Sequence, residues 1–167
     1  MSAFYKLAIQ EIKKETNQTV SVLFNVPNEF KDYYSFVAGQ YVTLKLTLDG
    51  EEIRRAYSIC SAPTSGELRV AIKAVENGRF SNFANNELKA GDLLEVSIPE
   101  GKFVFEPKTG HSKNYMAFAA GSGITPVMSI VQSALLQEPE STFALVYGNK
   151  TPQETIFYDQ LIQLQTQ

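Results

Sequence analysis

The sequence reads as an antiparallel β-barrel or sandwich followed by the opening of an α/β domain. Three features support this reading. Apolar and polar residues alternate with period two in several segments before about Pro107, helical apolar spacing dominates only after it, and a Gly-Ser-Gly turn joins a short apolar run to that helix.

Taken in order, strands are expected over residues 5–12 and 19–26. Residues 41–48 alternate strictly, with Val42, Leu44, Leu46 and Leu48 on one face and Tyr41, Thr43, Lys45 and Thr47 on the other, before an Asp49-Gly50 turn. Arg55-Ala56-Tyr57-Ser58 lies on the returning strand. Leu68, Val70, Ile72 and Ala74 form a further face, and Leu94, Val96 and Ile98 another, entered by Gly91-Asp92. One short helix interrupts them over 81–88, with Ser81 as its cap and Phe83, Ala84 and Leu88 facing inward. About six short strands between Gly, Pro and Asp turns suggest the barrel or sandwich.

After the polar stretch 108–114 the pattern changes. Residues 115–119 suit a strand buried on both faces, and Gly121-Ser122-Gly123 follows at once. Thr125 suits a helix cap and Pro126 the first turn, and Val127, Ile130, Val131, Ala134 and Leu135 share one face until Pro139 stops the helix. Residues 143–147 make a second buried strand, and a last helix is expected from near Pro152 to the end. Strand, turn, helix and strand form a right-handed βαβ unit. The expected division is a β-domain over 1–107, a linker over 108–114 and a partial α/β domain over 115–167.

Composition narrows the function. The chain has 167 residues, 44% hydrophobic and 20% charged, with a formal net charge of −3, which argues against fibrous, disordered and membrane classes. No basic run exceeds a Lys or Arg pair, so neither nucleic acid nor a membrane surface is an expected partner. Cys60, the single cysteine, excludes an internal disulfide, a zinc cluster and an all-cysteine iron–sulfur site within the chain, and it reads as a small packed residue two beyond Ser58 on the same strand. The lone His111 reads as a surface histidine, and no metal is expected. No signal-length or membrane-length apolar run is present, and the expected location is the cytoplasm.

Three segments carry chemistry. In the first, alternation puts Arg55 and Tyr57 on one face, offering a guanidinium for phosphate and a ring for a flat ligand, with Ser58 beside them. The second, Asn77-Gly78-Arg79-Phe80-Ser81, precedes the short helix, whose free amides and dipole attract anions. The third, Ala120-Gly121-Ser122-Gly123-Ile124-Thr125-Pro126, lies at the C-terminal end of a parallel strand, where open α/β sheets bind nucleotides. It is not the GxGxxG fingerprint, because Thr125-Pro126 falls where the third glycine would come. Alone, the first would equally suit an exposed strand, and the second a plain capped turn.

RAYS, NGRFS and AGSGITP, in that order, together with Gly39-Gln40-Tyr41, resemble the ferredoxin–NADP reductase-like flavoprotein superfamily. Within it the chain is most similar to oxygenase reductase components of the phenylacetyl-CoA oxygenase reductase type. The resemblance implies a six-stranded antiparallel FAD-binding barrel followed by the first part of a parallel-sheet nucleotide-binding domain. It implies that Arg55 holds the flavin phosphate, that Tyr57 packs on the isoalloxazine with Ala56 also among the FAD-binding residues, and that Ser58 sits near its reactive N5 edge. Main chain of Ile72, Lys73 and Ala74 would line the ribityl chain and dimethylbenzene side, and Gly78, Arg79, Phe80 and Ser81 would bind the pyrophosphate. Gly121, Ser122, Gly123 and Ile124 would lie against NAD(P), with Gly148 and Asn149 also among its binding residues and Lys150 either at a ribose or its 2′-phosphate or a solvated loop lysine, and Thr125 would meet both flavin and nicotinamide. Ser58 and Thr125 are the residues expected to shape hydride transfer. Two anion sites favour FAD over FMN.

The departures matter too. Pro99-Glu100-Gly101-Lys102-Phe103 resembles the family's Gly-Pro-x-Gly-x-Phe loop with Ile98 in place of its first glycine. Lys150 stands where many relatives have Arg and lacks the bidentate fork, which leaves NADH and NADPH both open. The family's later nucleotide-domain strands have no counterpart before Gln167, nor do the four cysteines of a 2Fe–2S domain. The chain is therefore expected to be part of a longer protein, with the cluster in a further C-terminal domain or a separate partner. An incomplete parallel sheet also exposes an edge and apolar faces that favour self-association. The expected function is a reductase that takes hydride from NAD(P)H onto FAD and passes electrons to an iron–sulfur acceptor and an oxygenase component. The alternative is a barrel that binds flavin or a partner without turnover.

Overall fold

The computed structural model describes residues 3–165. Six antiparallel strands form one sheet: β1 (Phe4–Thr16), β2 (Thr19–Asn25), β3 (Tyr41–Leu48), β4 (Glu51–Ser58), β5 (Leu68–Lys73) and β6 (Leu93–Ser97). They are ordered β4-β3-β6-β1-β2-β5. β1 serves two neighbours, pairing with β6 through its first half and with β2 along the rest. Register shifts at Ile9/Glu11 and Lys14/Thr16 bend it to reach both. The two edge strands meet just beyond β4, where Ile59 bridges Val70 and the Cys60 amide donates to the Arg69 carbonyl at 2.8 Å. This closes the barrel around Leu7, Val22, Val42, Leu44, Val70, Ile72 and Val96, none of which reaches solvent. The expected alternation is therefore the inward face of real strands. Cys60 sits past the end of β4 rather than on it.

The loop before β3 packs on the loop after β6. Tyr41 and Glu100 exchange two backbone hydrogen bonds, each 2.9 Å. Gly39 has φ +98°, and a Cβ there would stand 2.2 Å from the Phe103 carbonyl, so only glycine permits this approach. Phe103 itself is exposed. Residues Asn28–Tyr34 form a 3-10 segment that alternation did not signal, and the buried Tyr34 hydroxyl donates to the Val96 carbonyl at 2.7 Å.

The first helix, α1, spans Arg79–Asn86 and starts two residues earlier than expected. Ser81 does not cap it. Its hydroxyl accepts from the Val75 amide and faces the Gly78 carbonyl, so it braces the turn that leads into the helix. Phe80, one position ahead of the predicted helix, is the ring that reaches the barrel core.

Two parallel strands follow, β7 (Asn114–Ala120) and β8 (Thr142–Gly148), joined through α2 (Ile124–Gln137). Thr125 is the second residue of α2, not its cap. Gly121–Gly123 makes a 3-10 turn that runs directly into the helix, and the Ile124 amide is satisfied by the Gly121 and Ser122 carbonyls. The Thr125 hydroxyl instead donates to the Ser122 carbonyl at 3.0 Å. Both strands were expected to be buried on both faces, but each alternates exposed and half-buried residues. Both α2 and α3 pack on the face bearing Ala117, Phe143, Leu145 and Tyr147, which leaves Met116, Phe118 and Val146 outward. The last helix, α3, covers Tyr158–Gln165 and begins later than expected. Pro152–Glu154 is a separate 3-10 turn, and Phe157 at φ +64° turns the chain before α3. Thr166 and Gln167, the end of that predicted helix, lie outside the described residues.

A second core joins α2, α3 and the inner face of β7 and β8 to Cys60 and Ala71 on the barrel. The Ser129 hydroxyl donates to the Ser61 carbonyl at 2.7 Å, and the Gln132 amide to the Cys60 carbonyl at 3.3 Å. His111 is partly exposed, and its Nδ1 lies 3.8 Å from the buried Glu138 carboxylate. Among the described residues no helix is long and apolar enough to cross a membrane.

Burial pushes the Cys60 thiol up to about 12, with the nearby Arg69 opposing in part. The thiolate is the reactive form, so at neutral pH Cys60 is inert. A disulfide reagent should label the native chain at least a hundredfold more slowly than free cysteine, and denaturant should restore the rate. Rapid labelling of folded protein would contradict this burial.

Candidate functional site

Barrel closure brings the end of β4 alongside β5 and the start of α1, and α2 docks against the same edge. A cleft of ≈ 400 Å³ lies between them. Arg55, Ala56, Tyr57 and Ser58 line one wall, Lys73 and the turn from Gly78 to Ser81 another, and Ser122, Gly123 and Thr125 the side facing them. The three segments singled out in the sequence therefore converge. Ala71, Val75 and Pro126 also line the cleft. Ala71 and Val75 neighbour Lys73, and Pro126 neighbours Thr125, but nothing in their side chains signalled a site.

The Tyr57 ring is half-buried and leans on Phe80, with centroids 5.6 Å apart and planes 41° apart. Burial pushes its phenol up to about 12, against a smaller opposing pull from Arg55, so the ring is neutral over the working pH range. Arg55 is exposed and donates to the Arg54 carbonyl at 2.7 Å, with no ion pair among the described residues. The chain has four arginines, and the other three all pair with carboxylates. Arg79 is one of these, held by Glu51 and by Asp49 on the β3–β4 turn, so its side chain points to acids rather than standing free for phosphate.

The start of α1 retains its backbone donors. Its ladder begins with the Asn82 amide on the Gly78 carbonyl at 2.9 Å, so the amides of Arg79, Phe80 and Ser81 precede it. Gly78 keeps that edge bare, because a Cβ there would fall 2.3 Å from the Ser81 hydroxyl and 2.6 Å from a Val75 methyl. Amides at a helix start beside a glycine suit a phosphate.

Other predicted residues lie elsewhere. Ile72 is fully buried in the barrel core, and its carbonyl accepts from the Asn85 side chain at 3.0 Å. The Ala74 amide donates to the Gln18 carbonyl at 2.7 Å. Ile124 is a residue of the second core. Gly121 does not line the cleft, and its carbonyl accepts from the Tyr147 hydroxyl at 2.8 Å. Gly148 ends β8, while Asn149 and Lys150 border a separate groove of ≈ 630 Å³ between β8, α2 and α3.

Residues 6–105 match the family model described as the oxidoreductase FAD-binding domain. The chain belongs to this family. Residues 118–167 match the oxidoreductase NAD-binding domain. Among curated proteins, the chain is 44% identical over 164 residues to a 1,2-phenylacetyl-CoA epoxidase subunit of Escherichia coli (strain K12), covering 98% of this chain and 46% of that protein. The chain thus spans about half the length of that relative. Among solved structures, phthalate dioxygenase reductase, described as a modular structure for electron transfer from pyridine nucleotides to 2Fe–2S, matches with TM-score 0.77 and 29% identity over 95% of this chain and 48% of that one. A ferredoxin NADP+ reductase from Neisseria gonorrhoeae with bound FAD and NADP shares the fold, with TM-score 0.79 and 24% identity over 98% of this chain and 64% of that one.

For an FAD-binding oxidoreductase domain the cleft fits its cofactor. It combines a guanidinium with no carboxylate partner among the described residues, a supported aromatic ring and a bare helix start on adjoining walls. That set suits a ligand with both a flat ring system and linked phosphates.

Proposed function

We propose that this chain supplies the flavin-binding barrel and the first part of the nicotinamide-binding domain of an NAD(P)H-dependent reductase serving an oxygenase. The observation that carries this reading is the convergence of the three segments on one cleft. Residues 1–107 hold FAD, 108–114 link, and 115–167 begin the dinucleotide domain. FAD, when bound, supplies the chemistry that accepts hydride from reduced nicotinamide and releases electrons onward.

The chain's own residues bind and orient. Arg55 takes a flavin phosphate, and the amides of Arg79, Phe80 and Ser81 take the pyrophosphate. The Arg79 side chain serves the β3–β4 turn instead. Tyr57 packs its ring on the isoalloxazine, backed by Phe80. Ser58 lies beside the reactive edge, and Thr125, with its proton committed to the Ser122 carbonyl, offers a fixed oxygen and methyl on the opposite side. No group there needs to act as a strong acid or base. Lys73 and Ala56 shape the wall, while Ser122 and Gly123 meet the nicotinamide dinucleotide and Lys150 its ribose from the neighbouring groove. The electron acceptor is an iron–sulfur centre, in keeping with the words describing phthalate dioxygenase reductase, and the partner is an oxygenase component, in keeping with the epoxidase relative. The expected location is the cytoplasm.

The test is reconstitution. Purified chain should take up FAD from micromolar solution, turn yellow, and bind FAD at least tenfold more tightly than FMN, because FMN lacks the second phosphate. Bleaching on mixing with NADH or NADPH would assign hydride transfer to this chain. FAD binding without bleaching would assign it the flavin-holding role alone, and failure to take up FAD would overturn the reading.

A further inference from the structure

Glu138 follows the last turn of α2 and is 1% exposed. A carboxylate removed from water needs strong compensation. It receives the Lys108 amide at 2.7 Å, the Tyr115 hydroxyl at 2.7 Å and the Ser141 hydroxyl at 2.9 Å, with His111 Nδ1 at 3.8 Å. Ser141 in turn accepts from the Lys113 amide at 2.9 Å. These partners hold residues 108–115, the segment between the barrel and β7. Ending a helix requires none of them.

The same segment is fixed to the barrel at its other end. The Phe105 amide donates to the Ala38 carbonyl at 2.9 Å, and the Phe105 ring meets Tyr115 edge-on at 5.2 Å. Helix α2 is therefore attached to the barrel at its middle, by Ser129 on the Ser61 carbonyl and by the Gln132 side-chain amide on the Cys60 carbonyl, and to the segment at its end by Glu138. Thr125, on its first turn, lines the cleft.

We propose that Glu138 is a positioning residue whose clasp on residues 108–115 sets the tilt of α2, and hence how Ser122 and Thr125 face Tyr57 and Ser58 across the cleft. The rise of a helix puts Thr125 about 6 Å and Glu138 about 14 Å on either side of Ser129. Pivoting there, a 2 Å slip at Glu138 moves Thr125 by roughly 1 Å, enough to cost on the order of 100-fold in an oriented reaction. The optical arm of the test rests on the flavin reading, whereas the proteolytic arm does not.

Lys108 and Lys113 are exposed, so trypsin reports on the segment directly. Glu138→Ala should be cut at these sites at least tenfold faster than wild type. Glu138→Gln, which keeps an oxygen for the Lys108 amide, should restore much of the protection. Tyr115→Phe, which removes one donor with little change of shape, should be cut two- to fivefold faster. In FAD-loaded protein, Glu138→Ala should at least double iodide quenching of flavin fluorescence while leaving FAD affinity within about threefold. Equal cleavage in all four proteins would overturn the clasp. Faster cleavage with unchanged quenching would overturn its effect on the cleft. If Glu138→Ala loses FAD altogether, Tyr115→Phe decides by the same two readouts. A wild-type chain that takes up no FAD refutes the flavin reading and, with it, the cleft-positioning role, while the cleavage rates still judge the clasp.

The Glu138 carboxyl lies below the ordinary carboxylate range, chiefly through the Lys108 amide, with burial opposing and Tyr115, Ser141 and His111 adding to the lowering. A carboxyl lowered by folding stabilises fully above its unfolded value, about 4.3, and loses that contribution as pH falls through its folded value. The gap in Tm between wild type and Glu138→Gln should accordingly narrow as pH drops below about 4. A gap that widens would count against the clasp.

Discussion

Arg55→Ala should weaken FAD binding by roughly 10- to 100-fold, since a hydrogen bond to a charged group contributes about 1.5–3 kcal/mol. Arg55 stands on the cleft wall with no carboxylate partner among the described residues. Arg54 is bound to Glu52, Arg69 to Glu11 and Glu67, and Arg79 to Glu51 and Asp49. With no carboxylate partner among the described residues and one guanidinium donor on the Arg54 carbonyl, Arg55 keeps its charge and its other donors for a ligand. Fluorescence titration of FAD against the variant measures the loss, and added salt should weaken binding less in the variant than in wild type. Arg54→Ala is the control. It should change affinity less than about twofold, because an exposed ion pair of this kind contributes about 0–1 kcal/mol and its loss leaves the cleft wall intact. Equal affinities for wild type and Arg55→Ala would remove the phosphate role from that residue.

Phe80→Ala should be the most destabilising single change near the site, costing about 3–5 kcal/mol. The side chain is 1% exposed and heads the large, fully buried residues among those described. For a domain of this size that corresponds to a fall in Tm of about 10 °C or more. Phe80→Leu should cost less and remain folded at room temperature. It should still lower FAD affinity several-fold, because Tyr57 loses the ring it leans on. Thermal unfolding and FAD titration together check both parts. A Phe80→Leu variant that loses stability yet binds FAD like wild type would show that Tyr57 does not need this support.

The strands were readable because a barrel buries one face of each. Val42 and Leu44, Leu68 and Val70, and Leu94 and Val96 all point inward as their alternation implied. The helix starts were misread for a common reason. Ser81 and Thr125 are good capping residues, but a short hydroxyl side chain bonds a turn as readily as a helix end. Here both serve the turn before the helix. The parallel strands were misread differently. Apolar residues on both faces of β7 and β8 suggested burial on both, yet pattern records which residues are apolar and not what covers them. Among the described residues, α2 and α3 cover only one face.

Arg79 marks a similar boundary. Its position beside Gly78 suggested a phosphate contact, and its neighbours in sequence gave no hint of Glu51 across the β3–β4 turn. Glu138 carries no signal in the sequence for the same reason, since its partners lie at Lys108, Tyr115 and Ser141.

Alternation, turn glycines and segment order were thus sufficient for an antiparallel barrel or sandwich, the βαβ opening and three candidate stretches for binding an anion or a flat ring. Their meeting on one cleft follows from two contacts that no local pattern encodes, the Ile59–Val70 bridge that closes the barrel and the Ser129–Ser61 hydrogen bond that docks α2. Short-range patterns record how each segment satisfies its own backbone and apolar face. Bringing residues 55, 78 and 122 together requires long loops to close, and the favourable energy for that comes from burial shared between distant segments.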